Sequence, residues 1–541
     1  MSCPGLPYGS RFSCLRLAFL LVLAIPGSAS AFPEETPVVV DAHAPRMRIA
    51  KASGAIFSAD STPTQSRITQ LAWGPGPDPE QTYLYGSSAA HGVRRMDYDD
   101  ASGELANLVD VLPGISGNGI GFHVDASGHA VMYLSEGYDS ANAPTRRLSR
   151  LHRITDADDD GVFGSGGDVS VVLVHGIPRD DHGLNQIQIR VDSLFVSNGV
   201  RTRNGALQTF TGDAFGESAY GGTVLSIDNL DAVPSTVNAA GFAAYLADPT
   251  DSEYEDMIDG TTPGTEAPFT STASDKLRVH SAGTRNPFGL ALDASGDLWF
   301  TSNFHRVNNS VYDRSVIDGS AEGDAFDGAS NDDVHDQLFH ATAKADYGYR
   351  NSNWQNDPAV QAAGFFAGIA DPSQITPAFS FDNLDQDGPA GPDTDSTHAA
   401  WDAFHDPASP VGLGPHSALT GLEFGPLSMP LGYRNQIFVA RWNGQFGPII
   451  DDLVYTDVCL VSRVTGEVEQ VVSGLAAPTD ILADASGRLL IANYFGSIWR
   501  LEAKQVEVPL LATRAWNFLA AALLVIGAGL LARPGRRQTA Q

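Results

Sequence analysis

The sequence predicts an all-β fold built as a ring of repeated hairpins. The chain of 541 residues contains 55 glycines and 32 prolines, about 16% of the total against a usual value of about 12%, which favours many turns over long helices. The tetrapeptide Asp-Ala-Ser-Gly occurs three times, at 125–128, 293–296 and 484–487. Each copy lies between two apolar segments of strand length, so each predicts the turn of a β-hairpin.

Three further pairs of apolar segments have the same hairpin pattern without the tetrapeptide, at 71–85, 187–196 and 422–439. Six antiparallel hairpins predict a six-bladed β-propeller, because radial repetition protects the edges of the sheets. A pair of β-sandwiches is the rival architecture. Two long segments rich in Asp, Gly, Ser and Thr, 228–280 and 303–415, predict long loop insertions over one face, where binding sites usually lie.

The first 31 residues have the pattern of a secretory signal peptide. Two arginines precede the apolar run 17–25, and Ala29-Ser30-Ala31 offers a cleavage site before Phe32. The alternative, a first membrane-spanning helix, needs a longer apolar run. Of the three cysteines only Cys459 lies beyond this segment, which excludes an intramolecular disulfide and c-type haem attachment in the mature chain.

The last segment, 505–541, predicts a membrane anchor. Its apolar run 516–532 reaches the lower limit of a single transmembrane helix, and the arginines that follow would keep its end cytoplasmic. The Val-Pro-Leu-Leu at 508–511, the apolar run and the arginines together resemble the PEP-CTERM and IPTL-CTERM classes of bacterial sorting tail. That resemblance implies a sorting protease as partner and an anchor that is at least transient. We therefore expect an exported protein that is periplasmic, at the cell surface or extracellular, with the C-terminal helix in the inner membrane.

The charge of the chain excludes one class of partner. Lys and Arg number 33 against 64 Asp and Glu, a net charge of −31. Because phosphate contacts need a basic surface, we expect no nucleic acid partner.

A family resemblance enters at 283–299, which reads Gly-Thr-Arg-Asn-Pro-Phe-Gly-Leu-Ala-Leu-Asp-Ala-Ser-Gly-Asp-Leu-Trp. This segment resembles a signature of the glucose/sorbosone dehydrogenase family, six-bladed quinoproteins that use pyrroloquinoline quinone (PQQ) and Ca²⁺. Weaker matches follow the family order, at 182–187, 222–227, 333–338, 416–422, 441–444 and 478–481. The resemblance implies a propeller over 65–504, which leaves 32–64 as an N-terminal extension.

The resemblance also implies the residues of an active site. It makes His182 the base that takes the proton of the substrate hydroxyl, although an isolated histidine at a strand entrance is otherwise often structural. It assigns Arg285 and Asn286 to the cofactor and Arg285 to catalysis, since a guanidinium group suits both carboxylates and a reduced quinone oxygen. Arg441 is implied as a second cation beside the cofactor. Position along the chain alone adds Arg201 and Arg203.

A separate acidic segment predicts a calcium loop. Asp156, Asp158 and Asp160 alternate along the chain before Gly161, as in the opening of calcium-binding loops. No glutamate stands at the twelfth position, so a solvated acidic turn is the alternative. This structural ion would not be the one that bridges to the family's cofactor.

Two functions remain open from the sequence. The first is an exported PQQ-dependent dehydrogenase that oxidises an aldose sugar or related hydroxy-compound and passes electrons to an acceptor that the sequence does not identify. The second is a cofactor-free propeller that acts as a cell-surface or matrix binding module. Gln337 and Asn303, which depart from the family pattern, favour the second, whereas His182, Arg285 and Asn286 favour the first. A hydrolase lacks support, because neither G-x-S-x-G nor H-E-x-x-H occurs.

Overall fold

The computed structural model describes a six-bladed β-propeller. It describes residues 37–40, 42–52, 68–89, 92–139, 147–179, 182–200, 221–232, 277–281, 283–303, 335–341, 343, 345–346, 376–377, 412–415, 418–442 and 456–504. The predicted signal peptide and C-terminal helix lie outside these ranges, as do Arg201 and Arg203. No helix among the described residues is long and apolar enough to cross a membrane.

Two short strands come first, β1 (Val38–Val39) and β2 (Met47–Lys51). The first three blades follow as antiparallel sheets of four strands. Their strands are β3 (Ile68–Gly74), β4 (Thr82–Ser88), β5 (Gly92–Asp99) and β6 (Glu104–Leu112); β7 (Gly117–Val124), β8 (Ala130–Asp139), β9 (Arg147–Thr155) and β10 (Val169–Arg179); and β11 (Leu184–Arg190), β12 (Ser193–Asn198), β13 (Thr223–Ile227) and β14 (Leu277–Ser281). A short 3-10 helix, Leu230–Ala232, follows β13.

Blades four to six repeat the pattern. Their strands are β15 (Asn286–Leu292), β16 (Leu298–Asn303), β17 (His335–His340) and β20 (Gly412–Pro415); β21 (Leu419–Phe424), β22 (Ile437–Arg441), β23 (Asp457–Val461) and β24 (Val468–Ser473); and β25 (Pro478–Ala483), β26 (Leu489–Asn493) and β27 (Ile498–Ala503). A separate parallel pair joins β18 (Ala345–Asp346) to β19 (Thr376–Pro377).

The N-terminal strands complete the last two blades. β1 adds a fifth strand beside β24, and β2 pairs with β27 as the fourth strand of blade six. The segment 32–64, which the sequence analysis separated from the propeller, thus supplies strands to it. The ring closes between chain ends, since Ile49 lies opposite Leu501.

The first strand of each blade lines the axis, and these inner strands contact one another around the ring. Glutamine side chains join them. Gln70 of blade one accepts the backbone N–H groups of Ile120 and Ile187 at 2.8 and 2.9 Å. Gln186 of blade three donates to Thr69 O at 3.1 Å and accepts from Leu290 N at 3.1 Å. The axis is therefore a packed polar core rather than an open channel at this level.

Apolar clusters fill the spaces between neighbouring blades. Phe195 of blade three packs with Phe300 and Phe339 of blade four, and Leu84 of blade one packs with Leu490 of blade six. Each of these side chains is almost fully buried. Among the described residues, five such clusters join neighbouring blades around the ring.

The three Asp-Ala-Ser-Gly segments are the predicted hairpin turns. In each, the aspartate accepts N–H groups of its own turn, as Asp293 Oδ1 does from Ser295 and Asp297 at 2.8 and 3.0 Å. The closing glycines have φ of 91°, 83° and 89°, which favours glycine. The second oxygen of Asp293 pairs with Arg463 of blade five at 2.8 Å, so this turn also ties two blades together.

We call the end of the ring that carries these turns the turn face, and the end where the inner strands begin the mouth face. The sequence predicted that both long insertions lie over one face, and the strands that border them agree with this only in part. The first insertion follows β13, which ends on the turn face. The second is divided by β17: its first part follows β16, which ends on the mouth face, and its second part follows β17, which ends on the turn face. Successive antiparallel strands end on alternate faces, so an insertion's face depends on which strand precedes it.

Candidate active site at the mouth of the propeller

His182 and Asn286 meet at the mouth face through a glycine. Gly199 directly follows β12, and its N–H donates to the carbonyl of Gly183 at 3.0 Å, just before β11. A Cβ atom on Gly199 would lie 2.4 Å from both His182 Cβ and Asn286 Oδ1. Only glycine leaves room for both side chains. The predicted base and one predicted cofactor ligand therefore lie next to each other at this glycine.

Asn286 is held by a residue that the sequence analysis did not single out. Asn185 Nδ2 donates to Asn286 Oδ1 at 3.1 Å and to the carbonyl of Pro287 at 2.8 Å. The Asn185 carbonyl in turn accepts from Ser135 Oγ at 2.6 Å. Asn185 lies three residues after His182, and this closeness in the sequence was the signal that could have identified it as a site residue. Its amide fixes blade four against blade three.

Arg285 precedes Asn286 and lies beside the same glycine segment. Its carbonyl accepts the N–H of Val200 at 2.7 Å. The residue is only 8% exposed, and its Nε has no hydrogen-bond partner. Among the described residues no carboxylate pairs with it. A buried guanidinium group without a counter-ion is costly, so this one is suited to an anionic ligand.

Arg441 also lies on the mouth face, at the end of β22. Its Nε and Nη2 donate to the two oxygens of Asp457 at 2.7 and 2.5 Å, and its Nη1 donates to the carbonyl of Leu413 at 3.0 Å. Asp457 lies directly opposite on β23. The ion pair occupies one whole edge of the guanidinium, so a ligand would have to contact Arg441 at another N–H.

Two acids on the inner strands of blades six and five were not identified from the sequence: Asp480, which is buried at the axis, and Glu423, which is half-buried. Asp480 accepts from Leu71 N at 2.6 Å and from Gln186 Nε2 at 2.9 Å. Burial raises its pKa to about 8 despite these hydrogen bonds. Burial likewise raises the pKa of Glu423 to about 7. Removal of a carboxylate from water favours its neutral form, which explains both directions.

The predicted calcium loop lies on the turn face, after β9, away from His182. Oxygens of Asp156, Asp158 and Asp168 lie within 4.8 Å of one another. Asp160, which the sequence placed in the set, instead accepts the N–H of Val162 at 2.7 Å. Burial raises the pKa of Asp156, the neighbouring carboxylates add to the effect, and backbone N–H groups oppose it. This cluster of three carboxylates suits a structural divalent cation.

The structure therefore places His182 and Asn286 on either side of Gly199, with the backbone of Arg285 next to them, and places Arg441 on the same face in an ion pair. Arg201 and Arg203 lie outside the described residues. No family model and no curated protein sequence matches the chain.

Solved structures with some likeness to the chain include three from fungi and bacteria. A Trichoderma reesei carbohydrate-active enzyme of family AA12 has 12% identity and a TM-score of 0.49, covering 88% of this chain and 100% of that chain. The PQQ domain of pyranose dehydrogenase from Coprinopsis cinerea has 13% identity and a TM-score of 0.46, and the match covers 88% of this chain and 99% of that chain. The soluble aldose sugar dehydrogenase of Escherichia coli has 11% identity and a TM-score of 0.44, and the match covers 85% of this chain and 99% of that chain. TM-scores below 0.5 at such identities carry no argument about activity, which must rest on the residues.

Proposed function

We propose that the protein is a PQQ-dependent dehydrogenase that oxidises an aldose sugar or a related hydroxy-compound. The observation that carries the proposal is Arg285, a buried arginine with no counter-ion among the described residues, whose carbonyl binds Val200, the residue after the Gly199 that His182 and Asn286 flank. PQQ carries three carboxylates, and a carboxylate is the natural partner of such a group.

The residues at the mouth face would have different roles in the reaction. When bound, PQQ supplies the quinone that accepts hydride. Arg285 and Asn286 would hold it, and Arg285 would stabilise negative charge that develops beside it. An imidazole nitrogen of His182 would take the proton of the substrate hydroxyl as the hydride leaves. Asn185 positions Asn286 through the amide contact at 3.1 Å.

The remaining parts of the proposal concern export, anchoring and a structural ion. Residues 1–31 would direct export, and residues 505–541 would anchor the protein in the inner membrane until a sorting protease removes the tail. The acidic loop of Asp156, Asp158 and Asp168 would bind Ca²⁺ in a structural role.

A PQQ titration followed by absorbance tests the function. The purified protein is expected to bind PQQ and, with sugars present, to reduce an artificial electron acceptor. Arg285→Ala should lose binding, whereas His182→Ala should retain binding and lose turnover. Arg463→Ala, which removes an arginine on the turn face, serves as the matched control and should bind PQQ normally. If the folded wild type neither binds PQQ nor oxidises any sugar or alcohol of a broad panel, the cofactor-free module is correct instead.

A further inference from the structure

Three blades carry an equivalent residue at the mouth face. In each, the residue after the second strand donates its N–H to the carbonyl of the residue before the inner strand. The pairs are Gly199 with Gly183 at 3.0 Å, Trp442 with Ala418 at 3.1 Å and Tyr494 with Ala477 at 2.9 Å. Blade three thus has no side chain at this position, whereas blades five and six have a large aromatic ring.

The backbone holds both aromatic residues in defined places. Ala418 and Ala477 have φ of 47° and 49°, a left-handed conformation that is unfavourable for alanine. Asp336 Oδ2 accepts the N–H of Ala418 at 2.6 Å and fixes this turn. Strain of this kind persists only where the surroundings hold it, and it concentrates at binding sites.

The rings form a continuous surface. The ring centres of Trp442 and Tyr494 are 4.7 Å apart with a tilt of 36°, and Phe495 meets Tyr494 edge-on at 5.8 Å. All three residues are half-buried, so part of their surface remains exposed. Aromatic side chains next to a few polar groups are the usual lining of a small-molecule site.

We propose that Trp442 and Tyr494 form the platform on which a pyranose ring docks, and that they select cyclic sugars over acyclic polyols and small alcohols. A pyranose presents a flat face of C–H groups that covers an aromatic surface, whereas an acyclic polyol has no such rigid face. In a ring of six blades, blade six lies opposite blade three. Tyr494 of the platform therefore lies across the axis from Gly199 and His182, on the same mouth face.

This inference rests on the proposed function for the identity of the reaction, but the docking of a sugar is measured separately. Isothermal titration calorimetry of the full-length protein would use D-glucose as the cyclic probe and D-glucitol as the acyclic one. We expect saturable binding of glucose and at least tenfold weaker binding of glucitol. Trp442→Ala and Tyr494→Ala should each weaken glucose binding by about tenfold, the usual effect of truncating an aromatic anchor.

Leu427→Ala is the matched control, because it truncates an apolar side chain that is 72% exposed on the turn face. It should bind glucose as the wild type does. Should an alanine variant fail to fold, Tyr494→Leu keeps apolar volume without the aromatic face and should still lose glucose binding. Platform variants that bind glucose like the wild type, or a wild type that binds glucitol as tightly as glucose, would overturn the inference.

A PQQ titration on the same samples separates this inference from the proposed function. If glucose binding depends on the platform but PQQ does not bind, the dehydrogenase fails and the platform stands. If PQQ binds and glucose turns over, the platform requires a KM raised about tenfold in Trp442→Ala with kcat within about twofold. An unchanged KM in that case refutes the platform while the dehydrogenase stands.

Discussion

Replacement of Gly199 by alanine tests whether the contact between His182 and Asn286 is the active site. The added Cβ would lie 2.4 Å from His182 Cβ and from Asn286 Oδ1, whereas ordinary contact begins at 3.4 Å. At least one of these side chains must therefore move by about 1 Å. Overpacking of this size costs about 1–3 kcal/mol of stability, and a displacement of about 1 Å in a catalytic group costs about 10²-fold in rate.

The assay compares turnover, PQQ affinity and thermal unfolding of Gly199→Ala with those of Gly166→Ala. A Cβ on Gly166 would meet nothing within 4 Å, so that variant should behave as the wild type. We expect Gly199→Ala to fold with a modest loss of stability and to lose about 10²-fold in the rate of sugar oxidation. If its rate and PQQ affinity equal those of Gly166→Ala, His182 and Asn286 do not form the active site.

Three further predictions concern other parts of the fold. The folded pKa of Asp480 lies at about 8 against an ordinary 3.8, so the folded protein retains a proton that the unfolded chain releases. The free energy of unfolding should therefore fall as pH rises from about 4 to about 8 and then level off. Urea unfolding at pH 5, 7 and 9 measures this dependence, and Asp480→Asn should reduce it. An unchanged pH dependence in the variant would show that Asp480 does not have the raised pKa. Ca²⁺ should raise the unfolding temperature of the protein. Asp158→Asn should lose this effect and Asp160→Asn should keep it, because of these two residues only Asp158 belongs to the carboxylate cluster. Equal responses of the two variants in a calcium titration would count against the site. Ala50→Pro should lower the unfolding temperature of blade six, because the N–H of Ala50 lies in the ladder with β27 and proline removes it, whereas Val39→Pro should cost little, because the N–H of Val39 points away from β24; calorimetry that ranks them the other way would refute the closure.

The sequence predicted the features that depend on local pattern. Each Asp-Ala-Ser-Gly turn is a hairpin because its aspartate bonds to its own backbone and its glycine takes a positive φ, both of which are encoded within four residues. The three hairpins without the tetrapeptide were also confirmed, since their alternating apolar segments form inner and second strands.

Features that depend on distant partners could not be predicted in this way. β2 lies opposite a strand near residue 501, and nothing in its five residues signals that pairing. The carboxylate set includes Asp168 rather than Asp160, because the turn itself uses Asp160 as an acceptor. Likewise the pattern around Arg441 gave no sign that Asp457 binds its guanidinium.

The candidate site follows the same division. The Arg-Asn-Pro segment and the segment that begins at His182 each pointed to chemistry, but only the fold shows that Gly199 brings them into contact. The aromatic position in blades five and six became visible only when the blades were compared around the ring.

The pairing of β2 with β27 has a consequence for the order of folding. Ile49 and Leu501 lie opposite each other although almost the whole propeller sequence separates them. Blade six therefore cannot be completed until the last strand has been synthesised. Until then β2 has no partner, and after that β27 keeps an unprotected edge until β2 reaches it, which is the state most exposed to aggregation. Such a long-range contact slows folding. Because β2 and the last strand form one sheet, the protein should lose its fold as a single unit when either of these two strands is removed.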